Sequence, residues 1–122
     1  MKPMALLYYA NLMPGSQLSN KLLDLGYRVH VLADLTHLLE TCQREKPLVV
    51  VAEIMPNSPA LTNIAALRKD PGTQHIPVLG YASSQDAALQ TEATNAGVTL
   101  LAGTAAVTEH LPRLLDQVLQ ID

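Results

Sequence analysis

The chain has 122 residues and a mass of 13.2 kDa, with 48% apolar and only 16% charged side chains and a formal charge of −3. This length predicts one domain over residues 1–122, the apolar share excludes a disordered chain, and the negative charge argues against nucleic-acid binding. Apolar runs such as Leu48–Ala52 fall far below the roughly 20 residues that cross a bilayer, no signal-peptide pattern follows Met1, and Cys42 stands alone. A cytoplasmic protein without a disulfide framework is therefore expected.

In chain order, Met4–Tyr9 reads as a strand that ends at the loop 10–15. Ser16 is expected to cap a helix with Leu18, Leu22, Leu23 and Leu25 inward and Gly26 as its stop. Tyr27–Leu32 alternates as an edge strand does, and Asp34 caps a helix whose core face is Leu35, Leu38, Leu39 and Cys42. Leu48–Ala52 is unbroken apolar sequence, typical of a central parallel strand buried on both faces. A Pro- and Asn-rich stretch (55–59) leads into a helix carrying Leu61, Ile64, Ala65 and Leu67, which Asp70-Pro71-Gly72 stops. Ile76–Tyr81 is a fourth strand, Ser84–Asn95 a helix, and Val98–Ala102 a fifth strand. Thr108 is the expected cap of a last helix with Leu111, Leu114, Leu115, Val118 and Leu119 inward, against which Pro112 counts.

Five strands alternating with five helices define an α/β chain, a parallel sheet in a three-layer αβα sandwich built by right-handed crossovers. In such sheets chemistry sits beyond the carboxyl ends of the strands. The residues there are Ala10-Asn11, Ala52-Glu53, Ala82-Ser83 and Gly103-Thr104.

Four stretches share a pattern. "KPLVVVAEIMP" (46–56), "ALRKDPGTQHIPVLGYAS" (66–83), "NAGVTLLAGT" (95–104) and "GYRV" (26–29) resemble, in order and spacing, the receiver domain of two-component response regulators. The resemblance covers nearly the whole chain. It implies flavodoxin-like topology with strand order 2-1-3-4-5.

Receivers transfer a phosphoryl group to an aspartate at the end of strand three, with acidic residues after strand one holding Mg²⁺ and a hydroxyl and a lysine binding the phosphoryl oxygens. Here the acidic pair aligns with Ala10 and Asn11, the lysine with Thr104, and the hydroxyl with Ala82 or its neighbour Ser83. The acceptor aligns with Ala52 when read back from Met55-Pro56, or with Glu53 when read forward from Pro47. The resemblance thus implies a pseudo-receiver, a signalling domain that is not an enzyme and works by protein–protein contact. A phosphorylatable regulator using Glu53 is the alternative, and a small-molecule-sensing flavodoxin-like domain is a further one.

Charge is uneven. Residues 1–75 hold seven Lys/Arg against six Asp/Glu, whereas residues 76–122 hold Arg113 alone against five acidic residues. In receivers the face of helix four, strand five and helix five often carries output contacts, so Ala88, Leu89, Glu92, Leu101 and Arg113 are the candidate interface, for a signalling partner or a second copy. No cofactor and no metal site are expected. The loop at 10–20, despite Ser16 and Ser19, lacks a P-loop lysine and glycine density, and His30, His37, His75 and His110 show no ligand spacing. Cys42 reads as a buried structural thiol and Tyr81 as a packed aromatic with a docking role as its alternative.

Overall fold

The computed structural model describes residues 3–9, 12–32, 35–54, 60–82 and 87–119. Five parallel strands, β1 (Met4–Tyr8), β2 (Arg28–Leu32), β3 (Val49–Glu53), β4 (Val78–Ala82) and β5 (Leu100–Gly103), pair in the order β2-β1-β3-β4-β5. The helices are α1 (Leu12–Asp24), α2 (Leu38–Glu45, led in by a 3₁₀ turn at Leu35–His37), α3 (Ala60–Lys69), α4 (Ala87–Ala96), α5 (Thr104–Glu109) and α6 (Leu111–Leu119). The predicted parallel sheet and its strand order are both observed.

Alternation along the central strands divides the core into two layers. Val50, Ala52, Val78 and Ala82 pack with Leu38 and Cys42 of α2, Ile64 and Leu67 of α3, and Leu89 and Ala93 of α4. Val49, Val51, Leu79 and Tyr81 pack with Leu18 and Leu22 of α1, Val107 of α5, and Leu111, Leu115 and Val118 of α6. Every residue of β3 and β4 is buried, as unbroken apolar sequence in the middle of a parallel sheet requires.

Several boundaries differ from the sequence expectation. The helix expected from Ser16 begins four residues earlier at Leu12, because Pro14 falls in its first turn, where a missing N–H costs nothing. Ser16 and Ser19 are thereby interior helix residues, and the supposed anion loop is largely helix. Leu23 and Leu25 were placed on the inward stripe but lie 53% and 42% exposed, whereas Leu18 and Leu22 are fully buried and carry α1 onto the sheet. β3 runs one residue later than expected, leaving Leu48 outside the strand and exposed while Glu53 becomes its last member. Asp34 and residues 84–86, proposed as helix caps, lie outside the described residues.

The expected fifth helix is two helices. Thr108 is not a cap: it sits in α5, and its hydroxyl donates back to the carbonyls of Thr104 and Ala105. The chain leaves helical geometry at His110 (φ −125°, ψ 30°) and restarts at Leu111. Pro112 is the cause, since in an uninterrupted helix its ring would meet the carbonyl of Thr108, whereas in the first turn of α6 it is tolerated.

At the amino ends of the strands, Arg68 of α3 joins three segments. Its guanidinium donates to the carbonyls of Gln74, Ile76 and Gly97 and to Thr99 Oγ1, which in turn accepts from the Val78 N–H. Gly97 (φ +102°) closes α4 with bonds from Gly97 N to Thr94 O and from Val98 N to Ala93 O, and a side chain there would also strike Arg68. No helix of the described residues is long and apolar enough to cross a membrane.

Candidate functional site

The carboxyl ends of β1, β3, β4 and β5 form a rim whose levels follow from the pairing register. Tyr8, Ala52, Gly80 and Leu101 share one level across the sheet, and Glu53, Tyr81 and Ala102 share the next. Ala52 is fully buried and belongs to the layer of α2, α3 and α4, as does Ala82. Glu53 follows Ala52 in the strand, so its side chain leaves by the opposite face, the one that holds Val51 and Tyr81. The two residues between which the sequence left the acceptor position open thus point into different layers.

Glu53 is 7% exposed and is the one acidic residue among the buried polar side chains described. Beside it lies a group of tyrosines. Tyr81 is fully buried, and its phenol is held above the ordinary range by burial first, then by the charge of Glu53 and by Tyr8 and Tyr9. Tyr9 lies against the first turns of α1 so closely that a Cβ on Gly15 would overlap its ring. Gly15 therefore lets an aromatic replace bulk that a helix would otherwise put there. Tyr9 escaped the sequence analysis, which read it only as the end of a strand. The signal available was an aromatic at a strand end followed six residues later by a glycine within a helical pattern.

Thr104 opens α5 after Gly103, at the rim level above Ala82. Ala10, Asn11 and Ser83 lie outside the described residues. Of the candidate interface, Ala88, Glu92 and Arg113 are exposed and Leu101 is half-buried. Leu89 is a correction: at 4% exposure it anchors α4 in the core, one residue round the helix from the open face. Cys42 is fully buried, as expected, and burial pushes its thiol up to about 12. His37 lies 3.5 Å from Glu40 and His110 4.0 Å from Glu109, both on the surface.

A cavity of about 560 Å³ lies at the other pole and is lined by Arg28, Lys46, Leu48, His75, Pro77 and Leu119 among others. Its lining draws on the carboxyl-terminal residues of both α2 and α6, Glu45 and Leu119.

No family model and no curated protein sequence matches the chain. Solved structures do. The chemotaxis response regulator CheY4 of Vibrio cholerae superposes with a TM-score of 0.83 at 21% identity, over 97% of this chain and 99% of that one. The receiver domain of the sensor histidine kinase PA1611 from Pseudomonas aeruginosa, solved with magnesium coordinated in its active-site cleft, gives 0.85 at 16% identity over 99% and 100%. The response regulator domain of Thermotoga maritima CheB gives 0.80 at 18% identity over 100% and 99%. The chain therefore has the receiver fold.

The magnesium of the PA1611 domain tests the rim. Mg²⁺ takes oxygen donors in octahedral geometry and is commonly held by one or two carboxylates plus phosphate oxygens. Here the described rim offers one buried carboxylate among neutral phenols and alanines, and no group of three His, Cys, Asp or Glu among the described residues is arranged to hold a metal. The loop after β1 adds Ala10 and Asn11, which bring no charge. The donor set of the described residues does not fit Mg²⁺.

Proposed function

We propose that the chain is a receiver-fold signalling module of the two-component type that acts by protein–protein contact without aspartyl phosphorylation. One observation carries the reading: β3 ends in a buried alanine on one face and, on the other, a buried glutamate whose charge acts on the Tyr81 phenol. A phosphoacceptor has to meet the donor, the metal and a compensating cation together. Thr104 stands where a receiver carries its lysine, and no lysine follows Lys69 in the sequence. Without those groups the charge that develops on a transferring phosphoryl has nothing to stabilise it. Glu53 instead supplies a fixed negative charge at the rim.

We read the site as one for binding rather than catalysis, since the described rim residues bring no base within reach of a nucleophile. The contact face we assign is the open side of α4 with β5, where Ala88 and Glu92 are exposed and charge is sparse. The partner is a signalling protein or a second copy, and the compartment is the cytoplasm.

Incubation with acetyl phosphate and Mg²⁺, followed by intact mass measurement, tests the reading. The expected result is an unchanged mass. A gain of one phosphoryl group that disappears in Glu53→Gln would overturn it in favour of an atypical acceptor.

A further inference from the structure

Tyr81 is the largest fully buried side chain of the core, yet its hydroxyl has no hydrogen-bond partner among the described residues. Native interiors keep few such groups, because the desolvation cost goes uncompensated. Two relationships say what this hydroxyl serves. Tyr81 and Glu53 are register partners on β4 and β3, and both side chains leave the sheet on the same face. Carboxylate and phenol thus stand side by side on that face. Tyr81 also belongs to the cluster that contains Val107 of α5 and Leu111 of α6, the residues that flank the break at His110, and β4 touches both helices.

We propose that Tyr81 is a positioning residue that couples the Glu53 carboxylate to the α5–α6 break. In one arrangement Glu53 keeps its present contacts and the phenol is unpaired. In the other, Glu53 turns inward, Tyr81 Oη donates to it, and the ring reseats against the cluster under α5 and α6. Because α5 is a short helix separated from α6 by a non-helical residue, it can answer that shift without dragging α6 with it. The direction of signal flow is then toward α1, α5 and α6, not only toward α4 and β5. The significance of this output rests on the signalling reading above, but the coupling itself is measured apart from it.

Hydrogen exchange over residues 104–109, with α3 as internal reference, is compared for wild type, Tyr81→Phe, Glu53→Leu and the double variant. Each single variant is expected to change α5 exchange about threefold or more while leaving α3 unchanged, and the double variant to do no more than one single. Glu53→Gln, which keeps an acceptor, is expected to lie between wild type and Glu53→Leu. Urea unfolding gives a second readout: Tyr81→Phe should favour the folded state more when residue 53 is Leu than when it is Glu. Unchanged α5 exchange, additive effects, or an equal Tyr81→Phe effect in both backgrounds would overturn the coupling. A phosphoryl gain from acetyl phosphate would sink the signalling reading and leave these comparisons intact.

Discussion

The Arg68 guanidinium grips the carbonyl of Gly97 with two hydrogen bonds, from Nε at 2.9 Å and from Nη2 at 2.7 Å. The same group also satisfies the carbonyls of Gln74 and Ile76, each at 2.7 Å from Nη1. Burial pulls its pKa down from the ordinary range, and these oxygen acceptors offset that cost. Arg68→Met keeps the aliphatic stem and leaves the carbonyls unpaired. It is expected to destabilise the fold by about 2–4 kcal/mol, measured by urea unfolding. A loss under about 0.5 kcal/mol would show that water replaces the guanidinium at no cost.

Gly15 and Tyr9 make a second pair whose coupling has a sign. At an open helix position, Gly→Ala gains about 1 kcal/mol from backbone entropy. At Gly15 the added methyl meets the Tyr9 ring, so Gly15→Ala alone should cost about 1–3 kcal/mol. In a Tyr9→Ala background the same change should become neutral or stabilising. A double-mutant cycle by thermal unfolding reads the reversal, and a stabilising Gly15→Ala in the wild-type background would refute the contact.

Cys42 is set to be inert. With its thiol held near 12, native protein at pH 8 should react with a thiol reagent only through unfolding, at a rate that follows the population of unfolded chain. Linkage has a definite direction too. The unfolded chain releases this proton near the usual 9.0 and the folded chain near 12, so the contribution of this site is complete below pH 9 and is lost as pH rises from 9 to about 12. Cys42→Ala should lessen the fall in stability across that interval; an identical alkaline profile would argue against it.

On α4, adjacent residues should separate stability from association. Leu89→Ala opens the core and is expected to cost about 2–5 kcal/mol. Ala88→Arg, on the exposed side, should change stability by less than about 0.5 kcal/mol while weakening partner binding or self-association. Light scattering and pull-down titrations read the second effect, and unaltered association would remove this side of α4 from the contact face.

Much of the fold was legible because it rests on periodicity. Leu48–Ala52 read as a strand buried on both sides, which Val49–Ala52 are, and the alternation of strands with Leu-rich helical stripes pointed to a parallel sheet. Helix ends were harder. Ser16 looked like a cap, but Pro14 let α1 begin earlier, and Thr108 looked like a cap until Pro112 forced a division that propensity alone does not locate. Leu23 and Leu25 fit a helical stripe yet face solvent, because a stripe wider than its contact surface leaves its edges uncovered. At the rim, the sequence identified Ala52 and Glu53 but could not tell which face each occupied, since a shift of one residue exchanges the two. The tyrosine group was invisible for a different reason: Tyr9 and Tyr81 stand 72 positions apart in the chain, and only the folded sheet brings both to one rim.

The bracing by Arg68 lies at the end of the sheet away from Glu53. That brace and the proposed signalling rim thus use different residues, so Glu53 and Thr104 can be exchanged without touching the Arg68 hydrogen bonds.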